Sequence, residues 1–168
     1  MPGVIDMAAK PNPEGRVSVD GKELASWLPW HFDHAYNNEL NRAGVLRALE
    51  IPPEGGLTGF VDGIELYEKL SPELRAQIED HNILYRMNVF MADYHFGAPE
   101  TYKCLEENPY SAAVMKEAEG VPRSVHPAVW TRESGEKVLH LSPWMAEGIE
   151  GKETPEGNAL VEAVSREI

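Results

Sequence analysis

At 168 residues, with 42% hydrophobic and 26% charged side chains, the chain is long enough for one domain with a real core. Its formal charge of -13, from 15 Lys and Arg against 28 Asp and Glu, repels phosphate backbones and anionic lipids, which argues against nucleic-acid and membrane partners but leaves room for a small anionic substrate held by a local arginine. The single cysteine, Cys104, excludes an intrachain disulfide and a thiolate zinc cluster, so the metal chemistry left open is the nitrogen-plus-oxygen kind, for which six histidines and many carboxylates are available. No apolar run reaches the length of a membrane span, and Met1 to Lys10 lacks the basic start and apolar core of a secretory signal, so the cytoplasm is the expected location.

Met1 to Gly15, rich in proline, glycine and small residues, is expected to be a loose tail ahead of one domain, residues 16–168. Arg16 to Asp20 alternates Val17 and Val19 with polar residues, a short strand ending in the Asp20-Gly21 turn. Leu28 to Tyr36 is dense in aromatics and reads as a strand running into a loop. Asn41 to Ile51 is compatible with a strand or a short helix. Pro52 to Gly56 is a turn, and Leu57 to Val61 a further short strand.

Asp62 to Leu70 predicts a helix with Ile64, Leu66, Tyr67 and Leu70 on its apolar side. A second helix starts with Ser71 as N-cap and Pro72 in its first turn, buries Leu74 and Ile78, and is expected to run past His81 towards Tyr85. Pro99 to Glu119 reads as partly helical with a break near Asn108-Pro109. Ser124 to Thr131, a Ser134-Gly135 turn and Lys137 to Ser142 form a β-hairpin. Trp144 to Gly151 reads as a loop, and a helix starts at Glu156. Short strands mixed with helices predict an α+β fold, with a jelly roll carrying outer helices as the leading architecture.

Trp30-His31-Phe32-Asp33 is the segment with chemical promise. On a strand, residues two apart face the same side, so His31 and Asp33 would present a nitrogen and an oxygen to one cation while Phe32 packs the other way. Two histidines and one carboxylate on one face suit high-spin Fe(II) and leave adjacent positions open. Alone the pair carries little weight, since roughly 0.2 His-x-Asp pairs are expected by chance in such a composition, and a core histidine bonded to a nearby carboxylate is the plainer alternative.

The segments downstream of the pair carry more weight. Gly55-Gly56-Leu57-Thr58 places Thr58 after His31, then Leu70-Ser71-Pro72-Glu73-Leu74 succeeds a helix, then His126-Pro127-Ala128-Val129 precedes a glycine turn and a strand. In order and spacing, from Trp30 to about Gly151, the chain resembles the taurine dioxygenase and 2,4-dichlorophenoxyacetate dioxygenase family, TauD/TfdA.

The resemblance implies a partial double-stranded β-helix, another name for the jelly roll, with flanking and inserted helices. It implies Fe(II) as cofactor, 2-oxoglutarate and dioxygen as cosubstrates, and hydroxylation of a small organic substrate coupled to decarboxylation of 2-oxoglutarate. Residue by residue, His31 and Asp33 match iron ligands, and Thr58 matches the residue whose hydroxyl binds a 2-oxoglutarate carboxylate, C1 or distal. Tyr36 and Asn37, just after the pair, and Trp144, after the hairpin, are expected at the substrate pocket. Trp27, Trp30, Tyr94 and Phe96 are further candidate wall residues, and Arg86, Arg123 and Arg132 candidate anion partners.

The resemblance also implies a second iron-binding histidine and a 2-oxoglutarate arginine in a later segment that this sequence does not contain. One expectation is therefore a truncated or split frame that needs a complementing C-terminal chain; another is that His34, His81, His95 or His140 takes the third place. Unpaired strand edges would favour a homo-oligomer or such a second chain. Two other functions stay open: a catalytically inactive oxygenase-like module that pairs with another chain, and a cupin-like metal enzyme, whose ligand set would normally hold more histidines close together.

Overall fold

The computed structural model describes residues 15–25 and 27–168, so the expected tail lies outside the described residues apart from Gly15. The described residues form an α+β fold of three small antiparallel sheets and four helices.

The first sheet begins with β1 (Arg16–Val19) and β2 (Lys22–Leu24), a hairpin closed by Asp20 and Gly21 at φ 53 and 74. Both central turn residues have positive φ, the conformation that matches the twist of a tight hairpin. β4 (Lys103–Glu106) pairs on the other side of β1 and helps to enclose the fully buried Val17. Part of the segment expected to be helical is thus a strand, and the helix α3 (Ser111–Glu117) begins only after Asn108-Pro109.

Helix α1 (Gly63–Lys69) is capped by Asp62, whose carboxylate accepts from the Ile64 N–H. Helix α2 (Pro72–Ile78) is capped by Ser71 and has Pro72 in its first turn, as the sequence predicts. It ends at Ile78, short of the expected Tyr85. Residues 82–85 form β3 (Asn82–Tyr85), the central strand of the second sheet between β5 (Ser124–Pro127) and β8 (Ala146–Ile149). Ile83, Leu84 and Tyr85 are all buried, so the strand reads as a continuous apolar run rather than an alternating one and is hard to separate from a helix end.

The expected hairpin is present only in part, as β6 (Val129–Thr131) and β7 (Lys137–Leu139), because Ser124–Pro127 pairs with β3 in the second sheet. The stretch from Trp144, expected to be a loop, contains β8. Helix α4 (Pro155–Ser165) packs on β8 and α2, and its fully buried Val161 and Val164 join Ile78, Ile83, Tyr85 and Ile149 in one core.

Two predicted strands are absent. Leu28 to Tyr36 is irregular and turn-like, with His34 at φ 65. Pro29 has no N–H to give to a ladder. Leu57 to Val61 has no strand partner among the described residues. Asn41 to Ile51 is neither helix nor strand, and residues 41–62 are exposed throughout.

Candidate metal centre

His31 and Asp33 come together although the strand expected to align them is missing. The Pro29 carbonyl is 2.9 Å from His31 Nδ1. A carbonyl can only accept, so Nδ1 carries the proton and Nε2 of the neutral ring keeps its lone pair. That lone-pair nitrogen lies 3.6 Å from Asp33 Oδ1. Donors on adjacent positions of one ion, with bonds of about 2.1 Å, stand roughly 3 Å apart, so a small side-chain adjustment closes the pair on a cation. A backbone carbonyl that fixes the tautomer of a metal-binding imidazole is the usual supporting contact. The donor types, one imidazole nitrogen and one carboxylate oxygen close together, therefore fit two of the positions of Fe(II). His31 is 28% exposed and Asp33 68%, so the pair opens to solvent.

Trp144 backs the histidine. Its ring meets His31 edge-on, with centroids 4.8 Å apart at 78°, and its N–H donates to the Trp30 carbonyl at 3.3 Å. The indole Nε1 is buried with no hydrogen-bond partner, a free donor beside the candidate ligand. Thr58 is exposed, and its strap reaches the site through its neighbour: a Cβ added to Gly59 would fall 2.5 Å from Trp30 Cη2, so glycine permits this close approach. Tyr36 and Asn37 shape the turn after Asp33. Tyr36 stacks on His34 with centroids 5.9 Å apart, while Asn37 donates its N–H to the His34 carbonyl at 2.9 Å and its amide to His34 Nδ1 at 3.0 Å.

The other five histidines are engaged elsewhere. His34 holds Asn37, His81 Nε2 accepts from Lys152 at 2.9 Å, and His95 lies 3.2 Å from Asp93. His126 reaches two backbone carbonyls. His140 is stacked between Phe32 and Trp130, with centroids 3.9 and 3.7 Å away. Burial, then the neighbouring His126, pushes the His140 imidazole down to about 4, so it is neutral near pH 7. Among the described residues no group of three or more His, Cys, Asp and Glu is arranged to hold a metal ion.

Each candidate anion-binding arginine already faces a carboxylate: Arg86 meets Glu147 at 3.2 Å, Arg123 meets Glu153 and Glu147, and Arg132 meets Glu136 at 3.4 Å. Trp27 and Tyr94 form a separate aromatic group with Tyr102, and Phe96 belongs to the core. Sequence reasoning missed the support around the pair: the Pro29 carbonyl and the inward side chains of β5. The alternation Ser124-x-His126 was visible, but not the backbone it would grip.

The chain matches the family model described as "Taurine catabolism dioxygenase TauD, TfdA family" over residues 2–168. It belongs to the TauD/TfdA family. A pentalenolactone F synthase from Streptomyces arenae is 34% identical over 73 residues, 40% of this chain and 24% of that protein. An (S)-phenoxypropionate/alpha-ketoglutarate-dioxygenase from Sphingobium herbicidovorans is 32% identical over 83 residues, 45% of this chain and 29% of that protein. The crystal structure of a taurine dioxygenase from Burkholderia xenovorans aligns with a TM-score of 0.59 at 27% identity, covering 95% of this chain and 48% of that one. This TauD/TfdA chain thus matches less than half the length of each of these relatives.

Proposed function

We propose that this TauD/TfdA chain contributes the His31 and Asp33 ligands of an Fe(II)- and 2-oxoglutarate-dependent dioxygenase, with residues 16–168 as part of a double-stranded β-helix domain. When bound, Fe(II) with 2-oxoglutarate and dioxygen supplies the oxidising power that hydroxylates a small organic substrate while 2-oxoglutarate loses CO₂. The chain's own residues bind and orient. His31 Nε2 and Asp33 hold the metal, and the Thr58 hydroxyl donates to a 2-oxoglutarate carboxylate. Trp144, edge-on to His31, walls the substrate side of the site. Tyr36 and Asn37 form its rim. A cytoplasmic setting suits these cosubstrates, and no helix among the described residues is long and apolar enough to cross a membrane.

The observation that carries this reading is the His31 tautomer, fixed by Pro29, with Nε2 aimed at Asp33. Among the described residues, His34, His81, His95 and His126 each have a polar partner and His140 is stacked between two rings, so this reading assigns only two of the iron's donors to named residues.

Anaerobic Fe(II) titration with and without 2-oxoglutarate tests the proposal. The cosubstrate should tighten iron binding at least several-fold, and Thr58→Ala should reduce that gain while leaving the cosubstrate-free affinity unchanged. Iron binding indifferent to 2-oxoglutarate counts against a dioxygenase site.

A second reading has one observation in its favour. Val45, Leu46, Leu49, Ile51, Leu57 and Phe60 are 62–97% exposed on one strap. Such a run of apolar side chains is a surface for another chain. An oxygenase-like module without activity of its own, pairing through that strap, would bind a partner without binding iron.

A further inference from the structure

The turn that carries His31 and Asp33 belongs to no β-ladder, so something else must hold its two donors in place. Three hydrogen bonds from β5 converge on it. Ser124 Oγ donates to the Ala35 carbonyl at 2.5 Å. His126 Nε2 lies 3.0 Å from the Ala35 carbonyl and 2.8 Å from that of Asn37. Both partners of Nε2 are acceptors, so this nitrogen carries the proton and shares it between the two oxygens. Ser124 and His126 are both buried, alternate on the inward face of β5, and leave the two turn carbonyls satisfied away from water.

The same imidazole fixes the residue between the ligands. Phe32 meets His126 at 6.3 Å and 75°, meets Tyr85 at 5.8 Å and 70°, and stacks on His140 at 3.9 Å. Phe32 is thus wedged among Tyr85, His126 and His140, while the backbone just beyond Asp33 is tied to β5. With Phe32 anchored and Ala35 and Asn37 tied, the 31–33 segment has little freedom to rotate its flanking side chains apart.

We propose that His126, assisted by Ser124, is a positioning residue for the metal centre: its Nε2–H and ring lock the 31–37 turn so that His31 and Asp33 converge. The proposal rests on the ligand reading above. It assigns His126 to the supporting shell, where loss of a partner lowers metal affinity by about 10–100-fold without removing a ligand.

The test compares His126→Phe, which keeps a ring but loses the donor, with His126→Gln, whose amide can restore a donor near the Nε2 position. Two readouts are used on the purified chain. Hydrogen exchange of the metal-free protein reports on the turn through the Asn37 amide, with helix α4 amides as an internal control for global loosening. Co(II) titration, with His31→Ala as the reference for a missing ligand, reports on the site.

In His126→Phe, exchange at Asn37 should rise about tenfold more than in α4, and Co(II) affinity should fall about 10–100-fold. His126→Gln should recover both to within about threefold. Unchanged Co(II) affinity in His126→Phe overturns the proposal, as does a His126→Gln variant that falls as far as His126→Phe. Should His126→Phe not fold, Ser124→Ala carries the test by removing one bond: locally faster exchange with weaker Co(II) binding supports the clamp, and no change in either refutes it. If the parent chain shows no His31-dependent Co(II) binding, the ligand reading fails, and the exchange data alone decide whether His126 holds the turn.

Discussion

His140 sits between two aromatic rings with its Nδ1 buried and without a hydrogen-bond partner. Burial first, and His126 second, lower its pKa from 6.5 to about 4. Between pH 6.5 and about 4 the unfolded chain takes up a proton that the folded chain refuses, so stability falls as pH drops through that window. The loss should be on the order of 1–3 kcal/mol, allowing for the ring's partial exposure. His140→Phe keeps the stack and should flatten the pH dependence of the thermal midpoint between pH 4 and 6.5; an unaltered profile would show that another group titrates. At this scale sequence reasoning singled out a pair that does converge, but by a different route. Trp-His-x-Asp and the later Thr58 pointed to His31 and Asp33, whereas the convergence comes from a turn and not from strand alternation. The tautomer of His31 could not be read, because it depends on where the Pro29 carbonyl points. The contacts of His126 and Ser124 were hidden for the same reason: their partners lie about ninety residues away in the chain, at Ala35 and Asn37.

Among the elements, those with local signals were the legible ones. Asp62, Ser71 and Thr154 all cap helices through side-chain acceptors, and Asp20-Gly21 turns a hairpin. Thr154 accepts from the Gly157 N–H, and helix α4 buries Val161 and Val164 against β8 and α2. Thr154→Ala should therefore cost about 1 kcal/mol, measured by urea unfolding. Elements β2, β3, β4 and β8 escaped notice because short strands acquire their identity from partners, and β3 is buried on both faces. The irregular stretch around Met91 is held by the Tyr102 and Ser111 hydroxyls, which donate to the Met91 and Val89 carbonyls, and by the Glu107 carboxylate. Burial raises the pKa of Glu107, but hydrogen bonds from the Met91, Ala92 and Asn108 N–H groups and the Ser111 hydroxyl outweigh it and hold the group below its usual range. A depressed carboxylate pKa means stability that is complete above the ordinary carboxylate range and is lost as pH falls through the lowered value. Glu107→Gln should lower stability by about 1–3 kcal/mol at pH 7. Unfolding curves that coincide with the parent would show that the carboxylate's bonds are dispensable.

For the molecule as a whole, the strap from Val45 to Phe60 is the feature least expected of a finished domain surface. Its apolar side chains face solvent and no strand pairs with it among the described residues. The chain should therefore self-associate with rising concentration in sedimentation velocity, more so at high salt, which screens its charge of -13. Leu49→Asp with Phe60→Asp should weaken that association; a parent chain that stays monomeric at every concentration would show the strap to be innocuous. The central claim is that this chain by itself aims one imidazole and one carboxylate at a shared cation. Anaerobic Fe(II) titration of the parent, His31→Ala and Asp33→Ala proteins, each checked for an unchanged far-UV spectrum, tests it directly. Each substitution should weaken binding at least tenfold. Equal affinity in all three folded proteins would contradict the claim.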